Sequence, residues 1–227
     1  MTSTLLQSII GARIYYVFFQ WAYYKDHLME IVNLRKGGLA IYGGVIAGIL
    51  TLLVFTKKRH LSFLSMADSA CLGLVTGQMI GRWGNFINCE AFGRYTDCLF
   101  AMRIRRSIVN ESMISQNLID HLILDNGIEY IQVHPTFLYE SLWNFGLLMF
   151  MLWFRKRKTF TGEMLCIYLA GYGIGRAWIE GLRTDSLLIP GTQIAVSQAL
   201  SVVLATVSLV ILIYNRRKAF VQRKEAN

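Results

Sequence analysis

Six apolar stretches, near 3–23, 38–56, 62–81, 136–154, 162–180 and 192–214, each approach the roughly 20 residues that a helix needs to cross a hydrocarbon core. That pattern leaves few folds open, because inside lipid every backbone polar group has to be satisfied within helices or a closed barrel. Hydrophobic residues make up 54% of the 227 and charged residues only 16%, against about a quarter charged in soluble domains. One soluble core cannot enclose so much apolar side chain and still present a polar surface. The expected fold is therefore an all-α integral membrane protein, a single transmembrane domain over 1–227 built as a bundle of about six helices.

The net charge is +9, and its placement decides what the charge is for. Twelve of the 23 Lys and Arg residues fall in three clusters beside apolar runs: Lys57 to Arg59, Arg155 to Lys158, and Arg216 to Lys218 with Arg223 and Lys224. Such clusters mark cytoplasmic loop ends. Nothing resembles a nucleic-acid reader, so no nucleic-acid partner is expected. Alternating six spans from these clusters puts both termini in the cytoplasm and loop 24–37, segment 82–135 and loop 181–191 outside. The first stretch has neither a basic start nor a small-residue cleavage site and reads as a retained helix. Absence of an evident internal repeat speaks against an inverted-repeat transporter. Segment 91–135, between spans three and four, reads as a small extracytoplasmic cap mixing strand and helix. Cys71, Cys89, Cys98 and Cys166 form no C-x-x-C pair, and no zinc site is expected. Cys89 and Cys98 fall on the oxidising side, where a disulfide and two free thiols are both open readings.

Polar residues crowd three segments where lipid would normally forbid them. Residues 81–94, GRWGNFINCEAFGR, place Arg82, Asn85, Asn88 and Glu90 at the outer end of a span. Read structurally, they cap a helix with Arg82 and Glu90 paired; read functionally, they bind a ligand. In residues 171–185, GYGIGRAWIEGLRTD, the positions Tyr172, Arg176, Glu180 and Arg183 follow spacings of four, four and three, which on a helix form one stripe. Arg176 and Glu180 can pair, making burial tolerable. The alternatives are an interhelical salt-bridge network and a phosphate site, since Arg forks match phosphate oxygens. Residues 134–140, HPTFLYE, start a helix at Pro135 and bring in Tyr139 and Glu140. His134 there is either a hydrogen-bonded structural residue or an acid or base. Small residues in 37–48, GGLAIYGGVIAG, suit close helix packing, which leaves Tyr42 between two glycine pairs unexplained.

At these segments, and at GARIYYV over 11–17, the chain resembles the bacterial prolipoprotein diacylglyceryl transferases. The motifs occur in order from 11 to 185, and 81–94 is the most diagnostic. The resemblance implies transfer of the diacylglyceryl group of phosphatidylglycerol to the lipobox cysteine of a prelipoprotein, releasing glycerol phosphate. The reaction would occur at the outer leaflet of the bacterial cytoplasmic membrane, with no metal or other cofactor. It also implies roles: Arg82, Asn85, Asn88, Glu90 and Gly93 belong to the signature holding the lipid head, and Tyr172, Arg176, Glu180 and Arg183 match a second essential stripe. Arg82 and Arg176 are then the expected catalytic pair, with His134, Tyr139 and Glu140 on the substrate.

The resemblance has two departures. Many family members carry a His where this chain has Tyr42. A free phenol has a pKa near 10 against about 8.5 for a thiol, so Tyr42 serves as base only as a phenolate lowered by a nearby Arg. Glu90 is the alternative base, with Tyr42 then orienting the lipid. Family members also usually begin with one further outer-to-inner helix, and this chain starts at what corresponds to the second. The second reading is accordingly an inactive lipid-binding member of the family, and the third a small transporter.

Overall fold

The computed structural model describes residues 2–34, 37–184, 189, 191–192 and 194–225, with side chains at 2–5 and 223–225 left undescribed. It divides into two compact units, Met1–Met66 and Ala67–Asn227.

In the first unit, helix α1 (Thr2–Phe19) packs along helix α3 (Ile41–Lys58), joined by the short α2 (Trp21–Tyr24) and a 3-10 turn over Leu28–Val32. The helices touch through glycine: a Cβ on Gly43 would collide with the Tyr15 side chain and the Gly11 carbonyl. The small-residue spacing of 37–48 thus serves close packing here. Arg13 on α1 is buried, and its guanidinium donates to five backbone carbonyls, those of Glu30, Ile31, Asn33, Gly37 and Gly38. Five donors are all a guanidinium has, so the cost of this charge among apolar helices is met by the loop it folds around itself.

The second unit is built on α4 (Phe63–Ile87), α6 (Thr136–Phe154), α7 (Glu163–Glu180) and α8 (Val196–Glu225). A core of Cys71 and Val75 from α4, Met151 and Phe154 from α6, and Met164, Ile167 and Tyr168 from α7 holds three of them together. Helix α7 also packs closely on α8: a Cβ on Gly173 would meet the Ser201 carbonyl and Ala205. Trp143 Nε1 on α6 donates to the Gly171 carbonyl at 2.8 Å.

Between α4 and α6 the chain leaves the helical pattern. Strands β1 (Met102–Arg105), β2 (Ile123–Asp125) and β3 (Ile128–Val133) form an antiparallel sheet in the order β1-β3-β2, with the short α5 (Gln116–Asp120) beside it. Asn126 and Gly127 both have positive φ, 49° and 77°, as the tight turn of a two-residue hairpin requires. Phe92, Ile104, Val109, Leu118, Ile131 and Val133 make a separate small core. The protein is therefore mostly helical rather than wholly so.

Among the described residues, four helices are long and apolar enough to cross a membrane: Ile41–Lys58, Phe63–Ile87, Thr136–Arg157 and Val196–Gln222. Their outward residues are exposed and apolar, for example Val203, Val207 and Val210 on α8, as lipid-facing sides require. This identifies an integral membrane protein. The other two expected spans fall short for different reasons. Helix α7 carries Glu163, Arg176 and Glu180, which dilute its apolar character. In α1 the apolar helix counted among described side chains runs only over Leu6–Phe19.

Candidate functional site

Helix α4 continues past position 81 to Ile87, so Arg82 and Asn85 are helical rather than loop residues. Arg82 thereby projects toward α6, where Glu140 lies one turn from the start of its helix. Its carboxylate is the hub of the site. Oε2 sits 2.5 Å from Arg82, and Oε1 accepts from Arg176 of α7 at 3.1 Å. Glu140 is almost completely buried, with a side-chain exposure of 5%, against 19% for Arg82 and 16% for Arg176. Two guanidiniums from different helices thus converge on one carboxylate. The structure pairs Arg82 with Glu140, not with Glu90 as the structural reading of 81–94 had it.

Arg176 also meets Glu180 at 2.6 Å, the pairing that their four-residue spacing allows. Glu180 in turn accepts from Ser197 of α8 at 2.7 Å and lies 4.0 Å from Arg183. The expected single helical stripe is corrected at its end. Helix α7 stops at Glu180, and Arg183 stands past it in a lone β-bridge with Gly93. Asp185, in the same motif, lies outside the described residues. Tyr172 lines a small cavity with Glu140, Trp143, Asn144 and Arg176. At about 10 Å³ it has room for about one water.

Gly93 explains how the segment between α4 and α6 meets these helices. Its N–H donates to the His134 carbonyl at 3.0 Å, and Arg94 N–H donates to the Leu182 carbonyl at 2.9 Å. A Cβ on Gly93 would lie against His134 Cβ and 3.0 Å from the Leu182 carbonyl, so only glycine lets the three segments close. Thr136 adds a short hydrogen bond to the Ala91 carbonyl.

Two further groups stand beside the hub set. Asn85 and Asn88 both donate to Glu90 Oε1, at 3.1 and 3.2 Å, so the two amides orient that exposed carboxylate. His134 Nδ1 lies 3.2 Å from the Tyr139 hydroxyl, which lies 3.6 Å from Cys98 Sγ. Partial burial lowers the His134 pKa below its ordinary value. The Tyr139 hydrogen bond, with help from Thr96, lowers that of the exposed Cys98 thiol. Cys89 and Cys98 are both free thiols. Tyr42 belongs to the first unit, in the first turn of α3, where its ring is exposed. Among the described residues no three His, Cys, Asp or Glu side chains converge as a metal set would.

Sequence reasoning missed a second buried ionic layer. Asp68 of α4 accepts from the backbone N–H groups of Gly162 and Leu165, at 2.8 and 2.9 Å, and pairs with Lys158 at 2.6 Å. It caps the N-terminus of α7 from another helix, where the helix dipole favours a negative charge. Glu163, fully buried, binds the Thr159 N–H and pairs with Arg216 of α8 at 2.7 Å. The available signal was an Asp inside an apolar span, a residue lipid does not tolerate without a partner.

Residues 1–214 match the prolipoprotein diacylglyceryl transferase family. Among curated proteins, the chain is 40% identical over 220 residues to the phosphatidylglycerol–prolipoprotein diacylglyceryl transferase of Bacillus velezensis, covering 97% of this chain and 76% of that relative. It is 44% identical over 213 residues to the enzyme of that name from Streptococcus agalactiae, covering 93% and 76%. To that of Clostridioides difficile it is 43% identical over 187 residues, covering 82% and 66%. With a family match over nearly its whole length and such identities, the chain belongs to the prolipoprotein diacylglyceryl transferase family.

Proposed function

We propose that this protein transfers the diacylglyceryl group of phosphatidylglycerol to the lipobox cysteine thiol of prelipoproteins. The observation that carries the reading at the site is the convergence of Arg82 and Arg176 on Glu140. Among the described residues Glu140 is the one ion-pair partner of Arg82, which leaves most of its five donors for a ligand. Arginine forks fit phosphate oxygens in pairs.

The substrate thiol gives up its proton, and the thiolate attacks the glyceryl carbon that bears the phosphate ester. A carbon–sulfur bond forms, and the carbon–oxygen bond breaks with its electron pair on the departing oxygen. The products are a thioether and glycerol phosphate. Charge grows on the leaving phosphate, where fixed guanidiniums in a site of low water content stabilise it most. Asn85, Asn88 and Gly93 shape the head-group side, together with Tyr172, Glu180 and Arg183. His134 and Tyr139 flank it. Glu90 takes the thiol proton in this scheme.

The proposed topology has six crossings, α1 and α7 joining the four long apolar helices. The protein sits in the bacterial cytoplasmic membrane with both termini in the cytoplasm and 91–135 as an extracytoplasmic cap. The three basic clusters support this orientation, and it sets the Arg82–Glu140–Arg176 layer toward the outer leaflet.

Purified protein with phosphatidylglycerol and a lipobox peptide should yield lipidated peptide and glycerol phosphate in equal amounts. Arg82→Ala and Arg176→Ala should each abolish both products. Wild-type rates from either variant would remove the site from the reaction.

A further inference from the structure

The second ionic layer borders a pocket that the transfer reaction does not use. It is an open cavity of about 490 Å³ lined by Thr159, Arg216, Arg217, Ala219, Phe220 and Val221. Arg216 is preset there: Nε is held by Glu163 at 2.7 Å, and the guanidinium carbon lies 4.8 Å over the Phe154 ring. Glu163 approaches from the Nε side as an ion pair, and the arginine side chain remains 40% exposed where it lines the pocket. Arg217 is exposed beside it.

The pocket's depth follows from helix length. Arg216 lies 20 residues beyond Val196, the first residue of α8, or about 30 Å along the helix. That matches the roughly 30 Å thickness of a hydrocarbon core, so Arg216 and Arg217 stand at head-group level. Phe220 and Val221, 70% and 51% exposed, add apolar wall to the same cavity. Nearby, the Arg157 guanidinium lies 3.9 Å over the Trp153 ring at the end of α6. Seven basic residues, Arg155 to Lys158 and Arg216 to Lys218, stand here against two carboxylates, Asp68 and Glu163. Both carboxylates are committed to Lys158, Arg216 and backbone N–H groups.

We infer that this pocket is a second lipid site, holding the phosphodiester of an anionic membrane phospholipid on Arg216 and Arg217 with its apolar part against Phe220 and Val221. The two arginines supply paired donors for phosphate oxygens. The surrounding cations attract anionic head groups as juxtamembrane basic clusters do. The site is separate from the transfer site: Glu163, at its edge, is 13 residues from Arg176 on α7, about 20 Å away. The inference rests on the membrane-spanning reading of α8 and not on the transferase chemistry.

The test replaces Phe220 with photoreactive benzoylphenylalanine in the full chain, reconstituted in phosphatidylcholine vesicles with or without phosphatidylglycerol. Per molecule of lipid, cross-linking to phosphatidylglycerol should exceed that to phosphatidylcholine by about fivefold or more, the factor one basic side chain contributes at an anionic surface. Arg217→Gln should erase the preference, while Arg217→Lys keeps part of it. Arg217→Gln should leave the transfer rate unchanged. Arg82→Ala should keep the cross-linking although transfer is lost, so the two readings fail separately. Equal labelling of both lipids, or a preference that survives Arg217→Gln, would overturn the inference. Loss of the cross-link on adding soluble glycerol phosphate would overturn it as well, assigning the pocket to a soluble anion.

Discussion

Oε2 of Glu140 lies 2.5 Å from the Arg82 guanidinium, tying α6 to α4 through a buried carboxylate. The second oxygen of the same carboxylate is taken by Arg176. Glu140 therefore compensates two semi-buried cations and fixes their separation, a spacing that in the proposed function serves a phosphate. Glu140→Gln keeps the shape and removes the charge. The two guanidiniums then repel each other across a neutral amide. Removing one member of a buried ionic set costs about 3 kcal/mol or more, so thermal unfolding in detergent should occur at clearly lower temperature. Phosphatidylglycerol should restore more of that loss in the variant than it adds to the wild type, because its phosphate replaces the missing charge. Equal stabilisation of both proteins would mean that lipid phosphate does not reach these arginines.

What could be read from residue order, and what could not, follows from the range of each interaction. The Arg176–Glu180 pair was legible because helical spacing alone puts positions four apart together. The role of Glu140 was not, because it depends on how α4, α6 and α7 pack, and nothing local marks a carboxylate as facing two other helices. The end of α4 was misplaced for a local reason. Gly84 and Asn85 look like loop residues, yet the helix includes both and ends at Ile87, six residues beyond the expected end of the span at 81. Arg183 went the other way: the stripe spacing extends α7 on paper, while the chain turns at Glu180 to bridge Gly93. The Asn126-Gly127 turn between β2 and β3 was a readable hairpin signal that went unused.

Gly93 has no space for a side chain, since a Cβ would press on His134 Cβ and the Leu182 carbonyl. Gly93→Ala should destabilise the protein by about 1–3 kcal/mol, the usual cost of overpacking a closed contact. It should also cost more activity than stability, because the same bridge places Arg183. Transfer rate and unfolding temperature measured on one preparation check both. A variant with wild-type values for each would show that the three segments part without consequence.

His134 is held below its ordinary pKa by partial burial, which makes stability depend on pH with a definite sign. Above the unfolded pKa near 6.5, His134 is neutral in both states and the folded protein carries no penalty. As pH falls through that value the unfolded chain binds a proton that the folded one still refuses, so stability is lost until the folded pKa is passed. The midpoint of thermal unfolding should drop between neutral and mildly acidic pH, and His134→Asn should flatten that slope. An unchanged slope in the variant would assign the acid sensitivity to other groups.

Cys98 offers a direct chemical probe of the junction between the segment that precedes β1 and α6. Its thiol is exposed and lies 3.6 Å from the Tyr139 hydroxyl, and hydrogen bonding between them holds the thiol pKa below its ordinary value. Alkylation proceeds through the thiolate, so near neutral pH Cys98 should react with iodoacetamide faster than an ordinary exposed cysteine. Tyr139→Phe deletes the hydroxyl, raises the thiol pKa and should slow the reaction at neutral pH. At high pH, where the thiol is ionised in both proteins, the two rates should converge. Peptide mapping of the labelled site follows Cys98 apart from Cys71, Cys89 and Cys166. Identical rate–pH curves for the two proteins would show that the hydroxyl does not reach the sulfur, and with it that the Tyr139–His134 contact is not anchored to the segment that precedes β1.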